Sequence, residues 1–225
     1  MENIAIIVPT RNRYSIIRRC ILNLLEVDYP EKEIMVICDD DLRTYNRLTL
    51  NLPGFYKMYT VERSELVKAT IFGINNIESE FFVYYNDDMI MHKDCLTVAM
   101  KEFKERFKDG IGLIGFDDGI NRWIGTVGLT TKKTVEKFDC WTPAYVHYYA
   151  DTEIGVRTLK AGCFYWSHDA KVEHLHPLVN KAKWDNTYRE SQPLLMRDGI
   201  AFTARNGVYV HKSREELEHE NYPTL

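Results

Sequence analysis

Residues 4 to 25, IAIIVPTRNRYSIIRRCILNLL, decide how the chain is to be read. The opening IAIIV (Ile4 to Val8) is continuously apolar and rich in β-branched residues, the mark of a strand covered on both faces, and Pro9 is expected to end it. From Tyr14 to Leu25 the period changes: Ile16, Ile17, Cys20, Ile21, Leu24 and Leu25 recur at helical spacing, with Arg18, Arg19 and Asn23 on other faces. A buried strand feeding an amphipathic helix is half of a strand, helix, strand unit.

The unit repeats. EIMVIC (Glu33 to Cys38) reads as a second strand running straight into three aspartates at 39 to 41, and YKMYTV (Tyr56 to Val61) as a weaker third. Residues 64 to 77 carry Leu66, Val67, Thr70, Ile71 and Ile74 at helical spacing behind Ser64, a residue suited to cap a helix, and EFFVYY then forms the fourth strand. The stretch 95 to 107 is helical through Leu96, Ala99, Met100, Phe103 and Phe107, and GIGLIGF (Gly110 to Phe116) is another buried strand. Between 117 and 150 the alternation decays. Residues 151 to 161 form a short helix ended by Gly162, and AKVEHLHP (Ala170 to Pro177) puts Val172, His174 and His176 on one face of a strand. Residues 180 to 225 are mixed polar and aromatic, with no clear linker or repeat. The expected fold class is α/β, an open and mostly parallel sheet flanked by helices, joined by right-handed crossovers in a single domain.

Composition narrows the function classes. A chain of 225 residues with 45% hydrophobic residues supports one sizeable core. The net charge of -4 excludes a broad basic footprint for nucleic acid. Five cysteines, odd in number and never arranged as CxxC, exclude a disulfide framework and a zinc finger and point to a reducing, cytoplasmic compartment. MENIAIIVPT has an acid at position 2 and too short an apolar run for a signal peptide, and no stretch reaches the length of a membrane span. GIGLIG lacks the glycine order of a dinucleotide fingerprint, and neither a phosphate loop nor a serine nucleophile elbow occurs.

Ligands of open α/β sheets bind beyond the carboxyl ends of the strands. Asp39, Asp40 and Asp41 follow the second strand, and Asn86, Asp87 and Asp88 follow the fourth, so one crevice is expected to gather both sets around an ion. Converging carboxylates repel unless a cation intervenes. Hard oxygen ligands suit Mg²⁺ or Mn²⁺, which complete their shells with water and substrate phosphates, so a diphosphate leaving group follows. The alternative is that these acids are solvated turn residues.

VPTRNR after the first strand, ICDD after the second, YYNDDM after the fourth and ADTEIGVRTLKAG at 150 to 162 resemble, in that order, signature stretches of family-2 glycosyltransferases of the GT-A fold. The likeness spans roughly residues 3 to 177. It implies a nucleotide-sugar donor, a UDP-sugar first among them, held by Pro9, Thr10, Arg11 and Arg13 with Asp39 or Asp40 on the nucleoside. Asn86-Asp87-Asp88 is then the DxD-like element with Asn in its first place: Asp88 is the metal ligand, and Asn86 and Asp87 reach the donor. Lys68 stands on the helix before the fourth strand, where it either assists the phosphates or is an ordinary exposed lysine. The resemblance further implies that Asp151 is the general base of an inverting transfer; Ala150 replaces the first acid of the family's pair, while Glu153, assigned to the acceptor, and Arg157 keep the following spacing. A helix N-cap is the structural alternative for Asp151.

A late histidine completes the metal site in such enzymes, His174 fitting better than His176, and imidazole favours Mn²⁺. Trp123, Trp141, Tyr145, Tyr148 and Tyr149 either supply flat faces for an acceptor, Trp123 foremost, or simply fill the core. Residues 1 to 92 form the nucleotide-sugar half, 93 to 179 the acceptor and catalytic half, and 180 to 225 a C-terminal extension. KAKWDNTY (181 to 188) is similar to the tail of compact glycosyltransferases of tailed phages, which implies a host-cytoplasmic setting and an acceptor such as a hydroxymethylated pyrimidine in DNA. Lys181, Lys183, Arg189, Arg197, Arg205, Lys212 and Arg214 supply a local basic excess for its phosphates. A non-catalytic nucleotide-sugar-binding module is the remaining alternative. Nucleotidyl transfer would need a glycine-rich loop that TRNRYS lacks.

Overall fold

Ile4 to Val8 are all 0% exposed in the computed structural model, which describes residues 2–52, 54, 56–120 and 124–207. They belong to β1 (Ile4–Thr10), flanked by β2 (Lys32–Asp39) and β4 (Phe81–Tyr84), with β3 (Tyr56–Val61) outside β2; all four run parallel. Burial on both faces follows from strand alternation. Ile4, Ile6 and Val8 pack with α1 (Tyr14–Leu25) and α4 (Cys95–Arg106), whereas Ala5 and Ile7 pack with α3 (Glu65–Asn76) and α6 (Ala150–Lys160). Each fully buried aliphatic chain contributes about 1.5–3 kcal/mol relative to exposure. On the second face α3 lies so close that a Cβ at Gly73 would stand 2.4 Å from Ile7 Cγ2, which no side chain tolerates.

Pro9 does not end the strand; it pairs with Ile37 of β2 inside β1. The Ile7 carbonyl accepts from Tyr85 N–H at 3.0 Å, so Pro9, two residues on, faces the same side, where β4 has already stopped. Its missing N–H therefore costs no ladder bond.

The second half departs further from expectation. β5 (Met89–Met91), β6 (Leu113–Asp117), β7 (Gly128–Thr131) and β8 (Phe164–His174) extend the sheet to the order β3-β2-β1-β4-β7-β6-β8-β5. β7 runs antiparallel to both β4 and β6, and β5 antiparallel to β8, so this half of the sheet is mixed. The remaining helices are α2 (Leu42–Asn51), α5 (Lys132–Phe138), α7 (Asn186–Ser191) and α8 (Leu194–Asn206). Among the described residues no helix is long and apolar enough to cross a membrane, and all five cysteines are free thiols.

Two buried carboxylates fasten α8 to the domain. Asp198 of α8 is 0% exposed and accepts from the backbone N–H groups of Val146, His147 and Tyr148. Glu153 of α6 is equally buried; it accepts from the Tyr145 hydroxyl at 2.9 Å, Arg205 Nε at 2.8 Å and Asn206 Nδ2 at 3.1 Å, and pairs with Arg157 at 2.8 Å. Removing one member of such a cluster leaves the rest uncompensated. Glu153→Ala is expected to lower the unfolding free energy by about 3 kcal/mol in urea titration; an unchanged midpoint would refute the clamp.

Candidate active site

The carboxyl ends of β1, β2 and β4 open on one cavity of about 400 Å³ whose walls include Pro9, Thr10, Arg11, Arg13, Asp39, Asn86, Asp87, Asp88, Asp151 and His174. Parallel strands ending together leave a crevice where loops begin, and each loop here delivers a polar residue. Asp87 is buried. Its Oδ2 accepts from the Thr10 hydroxyl at 2.7 Å and its Oδ1 from Arg13 Nη1 at 2.9 Å. Burial raises the Asp87 carboxyl above its usual range, against the pull of Arg13.

Asp88 has a different environment. Burial acts to raise its carboxyl, but His174, the Tyr188 hydroxyl and Arg13 outweigh that effect and hold it below the ordinary value. Tyr188 Oη donates to Oδ2 at 2.5 Å. His174 Nε2 stands 3.4 Å from Oδ1 without the alignment of a hydrogen bond, so this buried oxygen has no donor among the described residues. On its other side His174 Nδ1 lies 3.5 Å from Asp118 Oδ2, at the end of β6. Burial disfavours the imidazolium, yet the two carboxylates prevail and push His174 up to about 9. His176 lies on the same wall, its Nδ1 accepting from Leu178 N–H.

Of the acids at 39 to 41 only Asp39 lines this cavity, and none of the three joins a cluster of metal-ligating side chains with Asp88 among the described residues. Asp39 accepts from Ser64 N–H at 2.6 Å, the Ser64 hydroxyl at 3.0 Å and Glu65 N–H at 3.1 Å, serving α3 as a cap supplied by a neighbouring strand. Asp41 caps α2 through Thr44 N–H and also accepts from Asn12 N–H. Backbone donors at helix starts, rather than a cation, offset these charges. Asp40, held at φ 49°, is exposed and lies off the cavity wall.

Asp151 occupies the first turn of α6; the cap position falls on Tyr149, so the expected N-cap role is not its own. Its Oδ1 accepts from Thr152 N–H at 2.7 Å. The carboxylate opens on the cavity, and burial of its surroundings pushes it up to about 6. Lys68 does not reach the site: on α3 it faces solvent while Val67, Ala69 and Thr70 turn inward. Glu153 does not reach it either, because the helical turn that aims Asp151 at the cavity aims Glu153 at Arg205 and Arg157. Trp123 lies outside the described residues.

Sequence reasoning missed the roof of the site. α7 lies across the mouth: Arg13 binds Asp185 through Nε at 2.8 Å and Nη2 at 3.1 Å, its guanidinium stacks 4.1 Å over Tyr188, and Arg11 binds Glu190 at 2.9 Å. These partners stand more than 170 positions apart in the chain, and nothing local announces them. Asp118 did carry a signal, an acid just after a buried strand, the same pattern that marked 39 and 87.

Sheet order and site define a GT-A sugar-transferase fold, and comparison with known proteins agrees. The chain matches the model of Glycosyl transferase family 2 over residues 5–151 and belongs to that family. It is 27% identical over 130 residues, 54% of this chain and 40% of the relative's length, to a dolichyl N-acetyl-alpha-D-glucosaminyl phosphate 3-beta-D-2,3-diacetamido-2,3-dideoxy-beta-D-glucuronosyltransferase of Methanococcus voltae. Among solved structures it superposes on the mannosyltransferase PcManGT from Pyrobaculum calidifontis, in complex with GDP-Man and Mn²⁺, with a TM-score of 0.62 at 16% identity over 90% of this chain and 70% of that one. S. aureus TarS 1-349 gives 0.58 at 16% identity over 96% and 77%.

The Asp151 environment has a consequence for stability. Its folded-state value lies above that of an unfolded aspartate, so the carboxyl stabilises the fold below about pH 4 and this contribution is lost as pH rises through about 6. Asp151→Asn is therefore expected to melt with the wild type at pH 4 and above it at pH 8. Equal melting temperatures at both values would show that the carboxylate is not desolvated.

Proposed function

We propose that the chain is a divalent-metal-dependent, inverting glycosyltransferase that moves a sugar from a nucleotide sugar to an acceptor hydroxyl, with Asp151 as general base. The observation that carries this reading is a carboxyl pushed up to about 6, in the same cavity as the acid-lined ends of β1 and β4. A base works best when its pKa lies near the working pH, and a carboxylate held there takes the acceptor proton as the new bond forms.

The donor half falls in residues 1 to 92. Pro9, Thr10 and Asp39 face the nucleoside; Asp39 retains one of a carboxylate's roughly four acceptor positions after its three donors. A UDP-sugar is our first choice, and the GDP-Man in the PcManGT complex supports the nucleotide-sugar class. The donor's diphosphate would take the guanidinium groups of Arg11 and Arg13 from Glu190 and Asp185, so α7 must yield as the donor enters.

The residues fit a cation at Asp88. Its Oδ1 is buried without a donor, and His174 is fixed beside it by Asp118, as an oriented histidine ligand would be. Among the described residues no ready cage of three or more such ligands exists, so phosphate and water would supply the remaining positions. Bound there, Mn²⁺ or Mg²⁺ would neutralise charge on the departing nucleoside diphosphate. The Mn²⁺ in the PcManGT complex supports this choice of ion.

Thermal denaturation with UDP- and GDP-sugars tests the reading. One donor is expected to raise the melting temperature only when Mn²⁺ is present, by the equivalent of about 2.7 kcal/mol at a hundredfold excess over Kd. Asp88→Asn should abolish the effect. A shift of equal size without metal, or none from any nucleotide sugar, would contradict it.

A further inference from the structure

Three features coincide at Trp141. Its backbone is left-handed, φ 52°, a conformation bulky side chains seldom adopt and one that collects at ligand sites. Its indole is 7% exposed and packed against the Tyr84 ring with centroids 5.0 Å apart. Trp141 is on the wall that carries Asp151, and its Nε1–H is buried and meets no acceptor among the described residues. Native folds rarely bury a donor and leave it unpaired.

His147 repeats the pattern on the same wall. Its Nδ1 is buried and unpartnered among the described residues, while its backbone is fixed by the N–H bond to Asp198 at 2.7 Å. Burial pushes His147 down to about 4, so near neutral pH the ring is uncharged and offers one donor and one acceptor.

We propose that Trp141 and His147 form the acceptor subsite, and that the acceptor ring they hold is a neutral sugar whose oxygens meet the indole N–H and the imidazole. This rests on Asp151 being the base that faces the acceptor. The chemistry selects against the other acceptors. At Trp141 a pyrimidine of DNA would find no open ring to stack on, since the indole is 7% exposed. Phosphodiesters need cations, and the cavity's arginines, Arg11 and Arg13, lie on the donor side, where the diphosphate would engage them. Part of the expected C-terminal basic excess is paired as well, Lys181 with Glu173 at 2.9 Å and Arg205 with Glu153 at 2.8 Å, while Lys183 and Arg189 are exposed. Lys212 and Arg214 lie outside the described residues.

Trp141→Phe keeps the ring and deletes the donor. Two assays on the full chain separate the outcomes: Mn²⁺-dependent UDP and GDP binding by calorimetry, and transfer from the identified donor to a pool of neutral methyl glycosides, alongside hydroxymethylated DNA. Trp141→Phe is expected to bind nucleotide within about twofold of the wild type and to raise KM for the glycoside about tenfold, with kcat changed less. His147→Ala should move KM the same way, and it decides the matter if Trp141→Phe does not fold. An unchanged KM in the folded variant, or wild-type transfer to DNA and to no glycoside, overturns the subsite while leaving the donor reading intact. Absence of metal-dependent nucleotide binding in the wild type overturns the donor reading and the subsite with it.

Discussion

The burial of Asp87 against Thr10 and Arg13 is the constraint around which the site is organised. A carboxylate taken out of water at the end of a central strand must find donors, and removing one partner of such a pair typically costs about 3–5 kcal/mol. The donors come from the neighbouring strand end and the start of α1, so the pairing locks the β1 loop onto the β4 loop. Arg13 is then committed, and its remaining nitrogens fix where Asp185 and α7 lie. Arg13 and Tyr188 approach Asp88 at Oδ2, whereas His174 faces Oδ1 at 3.4 Å without an aligned hydrogen bond, so Oδ1 is the oxygen at which we expect a cation.

The first half of the fold was legible because parallel strands buried on both faces must be written as continuous apolar runs, and β1, β2 and β4 are. α2 was not, since LRTYNRLTLN turns only Thr44 and Leu48 inward and shows almost no apolar face. β7, GLTT, is four residues long with two threonines, and β5 has only three, too short for any period to register. α8 is anchored less by apolar surface than by the Asp198 carboxylate, a device invisible to hydrophobic patterning.

The site was legible to the extent that it follows from strand ends. Thr10, Asp39, Asp87, Asp88, Asp151 and His174 come together on one cavity, as the order of motifs implies. Where the outcome depended on helix phase or tertiary reach, the sequence was a poor guide. Lys68 and Glu153 fall on the wrong sides of α3 and α6, Asp39 and Asp41 accept from backbone N–H groups at helix starts, and the α7 roof rests on contacts across most of the chain. The same charges serve structure and, in our reading, chemistry: Asp151 lowers stability at neutral pH in the state a base requires.

The claim on which the mechanism turns is that a divalent ion sits at Asp88. Anomalous diffraction from crystals grown with Mn²⁺ and a nucleoside diphosphate tests it most directly. The account predicts one strong Mn²⁺ peak with Asp88 Oδ1 in its coordination shell and Tyr188 displaced from Oδ2. A peak among Asp39, Asp40 and Asp41, or nucleotide bound with the Tyr188 bond intact and no metal at Asp88, would contradict it.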